Sequence, residues 1–90
     1  MVITRQVLAK QLSEYLQHKV TIEQLVDWAE RAMMEAEFDP VDHDTLRDIA
    51  GRIGLADVRA FGLTWEDCET FLSRLGYRAK IDVFQFFQST

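Results

Sequence analysis

Apolar positions along the chain fall into four stretches of helical period, each opened by a residue type that caps helices. Leu8, Leu12, Tyr15 and Leu16 recur on one helix face. Thr4 stands ahead of them as an N-cap, whose side-chain oxygen accepts a bond from a first-turn amide, with Ile3 and Leu8 placed as a hydrophobic staple. Thr21 repeats the device: Gln24 sits at the third helical position to complete a capping box, and Val20 and Leu25 form the staple. A second helix is expected from there to about Glu37, burying Ile22, Leu25, Val26, Ala29, Met33 and Ala36. Asp39-Pro40 ends it, because proline cannot continue a helix and biases the residue before it toward extended backbone.

The third helix is expected to start at Asp42, stapled by Val41 and Leu46. It turns Leu46, Ile49, Ala50 and Ile53 inward and ends at Gly54 as a left-handed terminator. Thr64 caps the fourth, with Asp67 at the third position and Leu63 set against Cys68. Cys68, Phe71, Leu72 and Leu75 form its stripe, and Gly76 stops it. Between them, Leu55 to Leu63 reads equally as a short strand at Val58–Phe61, a helical turn or a packed loop.

After Gly76 the period changes. Tyr77, Ala79, Ile81 and Val83 alternate with Arg78, Lys80 and Asp82, the pattern of a strand. A lone strand needs a partner for its backbone groups, and Val58–Phe61, Met1–Ile3 or a second chain are the candidates. A short fifth helix is the rival reading, with Asp82 as cap, Gln85 completing the box and Ile81 stapled to Phe86. The expected architecture is mainly α: a four-helix bundle-like single domain over residues 1–90, with a C-terminal strand or short fifth helix.

Composition narrows the class. Ninety residues hold one core, and four glycines and one proline leave little material for the turns of an all-β fold. The single cysteine, Cys68, excludes an intramolecular disulfide and a cysteine-based zinc cluster. No apolar run approaches the ~20 residues of a membrane span, and Met1–Gln6 lacks a signal-peptide core. A reducing, cytoplasmic setting without membrane contact is the expectation. A net charge of −5 disfavours nucleic-acid binding, which depends on neutralising phosphates.

Chemistry is sparse. There is no glycine-rich phosphate loop, nucleophile elbow or paired zinc-ligand motif, so neither an enzyme nor a cofactor nor a metal centre is expected. Cys68 reads as a small core hydrophobe, and His18 suits a helix C-terminus. Glu35, Glu37, Asp39, Asp42 and Asp44 supply oxygen ligands within ten residues, with the His43 imidazole among them, but lack the glycine and terminal glutamate of a calcium loop. They read as a solvated acidic turn. Trp28 lies opposite most of the second helix's stripe, where it either packs under a neighbour or marks a contact surface.

The uneven distribution of charge is more informative. From Glu23 to Asp48 nine carboxylates accompany only Arg31 and Arg47, so the remainder of the chain is net positive. Within that segment Glu23, Asp27, Glu30, Met34 and Glu37 fall within one narrow arc at 100° per residue. Carboxylates so placed repel one another, and only Asp27–Arg31 offers an opposite charge at i,i+4. With Asp39, Asp42 and Asp44 they form a candidate docking surface for a basic protein, Met34 providing an adaptable apolar contact.

Leu12-Ser13-Glu14-Tyr15-Leu16-Gln17-His18-Lys19-Val20-Thr21-Ile22-Glu23-Gln24-Leu25-Val26 resembles the opening of the colicin D immunity-like family. There a first helix ends in a short turn, here His18-Lys19-Val20, and a second begins at its threonine. The resemblance covers about a third of the chain and carries over no individual site residue. It implies a small acidic helical inhibitor that binds a tRNA-cleaving toxin domain, its carboxylates set against a basic cleft. A different class of function is a structural or oligomerisation role, with Ile81, Val83, Phe84, Phe86 and Phe87 pairing with a second copy in a homodimer.

Overall fold

The computed structural model of the chain describes residues 1–56, 62–81 and 83. In chain order it comprises β1 (Val2–Ile3), α1 (Arg5–Leu16), α2 (Ile22–Glu35), β2 (Glu37–Phe38), a 3-10 turn (Pro40–Asp42), α3 (His43–Gly54) and α4 (Trp65–Arg74). The protein is mainly helical with a small two-stranded sheet.

Three of the four helix starts follow from side chains acting on their own first turn. The Thr4 hydroxyl accepts from the Val7 N–H at 3.2 Å. Thr21 and Gln24 exchange both bonds of a capping box, at 3.1 and 2.8 Å. Thr64 and Asp67 do the same at 3.0 Å each. The start of α3 differs from expectation. Asp42 makes no side-chain cap bond; its carboxylate pairs with Arg5 at 3.0 Å and ties the turn to the start of α1. Asp39 instead caps the 3-10 turn by accepting from the Val41 N–H at 3.1 Å. Val41 is 82% exposed and staples nothing.

The second helix ends at Glu35, two residues before the expected boundary. Ala36 turns extended, and Glu37–Phe38 pair in parallel with Val2–Ile3. The Glu37 N–H donates to the Met1 carbonyl at 3.0 Å and the Asp39 N–H to the Ile3 carbonyl at 2.9 Å. One edge of β1 is thus paired with β2, and no C-terminal strand joins it among the described residues. Tyr77–Ile81 and Val83 carry no regular secondary structure, so the alternation there does not produce a strand among the described residues. Val58–Phe61, Asp82, Phe84, Phe86 and Phe87, the remaining positions of the strand, fifth-helix and dimer readings, lie outside the described residues.

One core joins all the elements. Leu8, Ala9 and Leu12 of α1, Leu25, Ala29 and Ala32 of α2, and Leu46, Ile49, Ala50 and Ile53 of α3 meet Cys68, Phe71, Leu72 and Leu75 from the last helix region. Ile3 and Phe38 close the core from the sheet. The closest helix pair is α2–α3, and small residues explain it. A Cβ at Gly54 would stand 3.4 Å from Glu30 Cγ and 3.6 Å from the Glu30 backbone nitrogen. Gly54 is thus the last residue of α3, in helical backbone at ordinary contact distance from α2 and not in a left-handed turn, which corrects its expected role.

Two helices do end in a left-handed residue. Gly76 has φ 88°, and the Tyr77 N–H donates back to the Leu72 carbonyl at 2.8 Å. At the end of α1 the same position belongs to His18, φ 61°, with the Lys19 N–H bonded to the Glu14 carbonyl at 2.8 Å. Both are six-to-one closures of the Schellman type. Only glycine adopts this backbone without a Cβ penalty. Gly76→Ala is therefore expected to destabilise the protein by about 1 kcal/mol, and His18→Gly to stabilise it by about 0.5–1 kcal/mol. Chemical denaturation checks both, and equal midpoints for the three proteins would contradict the assignment.

Candidate functional site

Of the eight candidate docking residues, four remain in one row. Glu23, Asp27, Glu30 and Met34 lie on α2 at i, i+4, i+7 and i+11, and all four are exposed. The opposite side of the same helix carries the buried Leu25, Val26, Ala29 and Ala32. Burial of that side fixes the helix's rotation and so points the carboxylates at solvent. Met34, 81% exposed, ends the row. Asp27 pairs with Arg31 at 3.1 Å, both well exposed. Glu23 and Glu30 have no ion-pair partner among the described residues.

The other four leave the row. Glu37 belongs to β2, so its expected place in the arc is lost with the last turn of the helix. Asp39 is engaged as the turn's cap, Asp42 with Arg5, and the fully exposed Asp44 with His43 at 3.3 Å. These groups extend the negative surface around the C-terminal end of α2 without forming a closed cluster. Among the described residues no group of three His, Cys, Asp or Glu side chains is arranged to hold a metal ion.

Charge elsewhere serves cohesion. Asp48 of α3 accepts from Arg74 at 2.7 Å and from Arg52 at 3.1 Å. The hydrogen bond from Arg74, then that from Arg52, holds its carboxyl below the usual range. A carboxyl lowered on folding contributes stability above its unfolded pKa, and that contribution fades as pH falls through the lowered value. This exposed α3–α4 tie therefore weakens in acid.

Cys68 is fully enclosed, and burial, with Asp67 adding to it, pushes its thiol up to about 11. It stays protonated at neutral pH and packs as a small apolar group. Burial also raises the Tyr15 hydroxyl, with Cys68 and Glu23 contributing; that hydroxyl donates to the Leu63 carbonyl at 3.3 Å and ties α1 to the approach to α4. Trp28 is half-buried against the edge of the core, beside a recess shared with Met1, Arg31, Glu35 and Ala36. No helix among the described residues is long and apolar enough to cross a membrane.

A second feature was not foreseen from the sequence. A groove of about 560 Å³ runs between α1, α4 and residues 77–81. Among the described residues its lining includes Lys10, Arg78 and Lys80 and no carboxylate. The signal for it in the sequence was the positive balance outside Glu23–Asp48, but the residues that form it, Gln6 to Ile81, lie up to 75 positions apart. The chain matches no family model, and no curated protein or solved structure is significantly similar to it.

Proposed function

We propose that the protein is an acidic protein-binding module of the immunity or antitoxin type, which occludes the cationic cleft of a basic nuclease. The observation that carries this reading is the α2 row: three exposed carboxylates and an exposed methionine on the side of the helix turned away from the core. A bundle-like arrangement of the four helices would hold the row rigid. The carboxylates would stand in for substrate phosphates, with Met34 adapting to the apolar wall of the cleft. Association would be steered by charge and would weaken steeply with salt. The likeness of Leu12–Val26 to the opening of the colicin D immunity-like family supports this choice of partner class. No catalysis and no cofactor are part of it.

The row makes little contribution to folding, since its members repel one another and Asp27–Arg31 is an exposed pair. The variant carrying Glu23→Gln, Asp27→Gln and Glu30→Gln is expected to keep its melting temperature or gain slightly. The wild-type protein, used as bait in extracts of its host, is expected to capture a basic polypeptide that elutes with salt and whose nuclease activity it blocks. The triple variant should lose that capture. Equal capture by both proteins, or a large fall in the variant's melting temperature, would overturn the reading.

A further inference from the structure

The groove beside α1 concentrates positive charge on a protein whose net charge is −5. Leu16, Trp65 and Leu72 supply apolar surface, while Lys10, Arg78 and Lys80 lie along it. The segment on its far side holds Tyr77 and Ile81, which are 41% and 62% exposed. A bare anion would meet the cations and leave the apolar lining wet. The groove matches a surface that presents carboxylates around a flexible apolar side chain, and this chain carries one: Glu23, Asp27 and Glu30 leading to Met34. A thioether chain adapts to an irregular apolar recess, and the opposed charges of the two surfaces would steer and orient the encounter.

We propose that the groove receives the α2 row of a second copy of this chain, giving a salt-sensitive self-association. The row lies on α2 and the groove on α1, α4 and residues 77–81, so the contact joins two different surfaces of the molecule. The inference rests on the row being a docking surface. It adds that a basic partner and a second copy compete for it, so that self-association holds the row covered until a tighter-binding partner displaces the copy.

Charge exchange tests the contact. Sedimentation velocity of the wild-type chain is expected to show a weight-average coefficient that rises with concentration at about 20 mM salt and returns to the monomer value at about 0.5 M. The groove variant Lys10→Glu/Arg78→Glu and the row variant Glu23→Lys/Asp27→Lys/Glu30→Lys should each be monomeric alone. An equimolar mixture should associate again, because each variant then meets an opposite charge on the other. Circular dichroism confirms that each is folded, and Asp27→Lys/Glu30→Lys replaces the triple variant if the latter is not. A wild-type chain that stays monomeric at low salt, variants that associate alone, or a mixture that stays monomeric would each overturn the proposal. A monomeric wild type that still captures and inhibits a basic nuclease would refute self-docking and leave the proposed function standing; self-association without such a partner would do the reverse.

Discussion

Replacing Ile3 with alanine is expected to lower the stability of the protein by about 2–5 kcal/mol, the range for truncating a fully enclosed aliphatic side chain. Ile3 has no exposed surface, although it stands third in the chain on a two-residue strand. Its side chain reaches the core shared by Leu8, Leu46 and Phe38, while the neighbouring Val2 is half exposed. Domains of this size are held by only ~5–15 kcal/mol, so the loss is a large share of the total. Val2→Ala, on the same strand but pointing outward, should change stability by less than about 0.5 kcal/mol. Urea denaturation of the two variants separates a core strand from a fraying terminus. Similar small shifts for both would show that β1 contributes nothing to the core.

That strand pair also marks where sequence reasoning stops. Strands of two residues are too short to show a period, and their partners are separated by two whole helices. Ile3 was therefore legible as a staple for α1 and as one candidate partner for a C-terminal strand, but not as the partner of Glu37–Phe38, and Glu37 only as one more turn of α2. Capping is different, because a threonine and the residue three positions later act within a single turn. Thr4, Thr21 and Thr64 were readable for that reason, with the boxes completed by Gln24 and Asp67. The inward stripes of α3 and α4 were equally readable, since every residue assigned to them is buried.

Glycine was legible as punctuation but not as spacing. Gly76 fits the left-handed terminator its place suggested. Gly54 instead keeps helical backbone beside Ala29 and Glu30 of another helix, a nearness that no local pattern displays. His18 is the converse case: a terminator in the left-handed region without the glycine that would announce it. For the candidate site the same division holds. The row from Glu23 to Met34 is a periodic feature of one helix and survives into the structure. The groove is assembled from three separated segments, and only the positive balance outside Glu23–Asp48 hinted at it.

The strongest backbone constraint falls on Gly62, and Gly62→Ala is expected to destabilise the protein by about 1–3 kcal/mol. Two effects act together there. The residue has φ 54°, where any Cβ is strained, and the added methyl would stand 3.1 Å from Ile22 Cγ1. That contact is tighter than most packed carbon atoms show, so the Ile22 side chain or the approach to Thr64 has to give by a few tenths of an ångström. The shift would also disturb the Leu63 carbonyl that receives the Tyr15 hydroxyl. Gly54→Ala provides the control, because its helical backbone accepts alanine and its nearest neighbour, the Glu30 side chain at 3.4 Å, can move. A change within about 0.5 kcal/mol is expected there, better helix propensity offsetting the tighter contact. Ile22→Val separates strain from crowding: its own loss is about 0.5–1.5 kcal/mol, but combined with Gly62→Ala it should lose less than the sum of the two. Strict additivity in that cycle would assign the whole effect to the left-handed backbone, and a Gly62→Ala protein as stable as wild type would remove both causes.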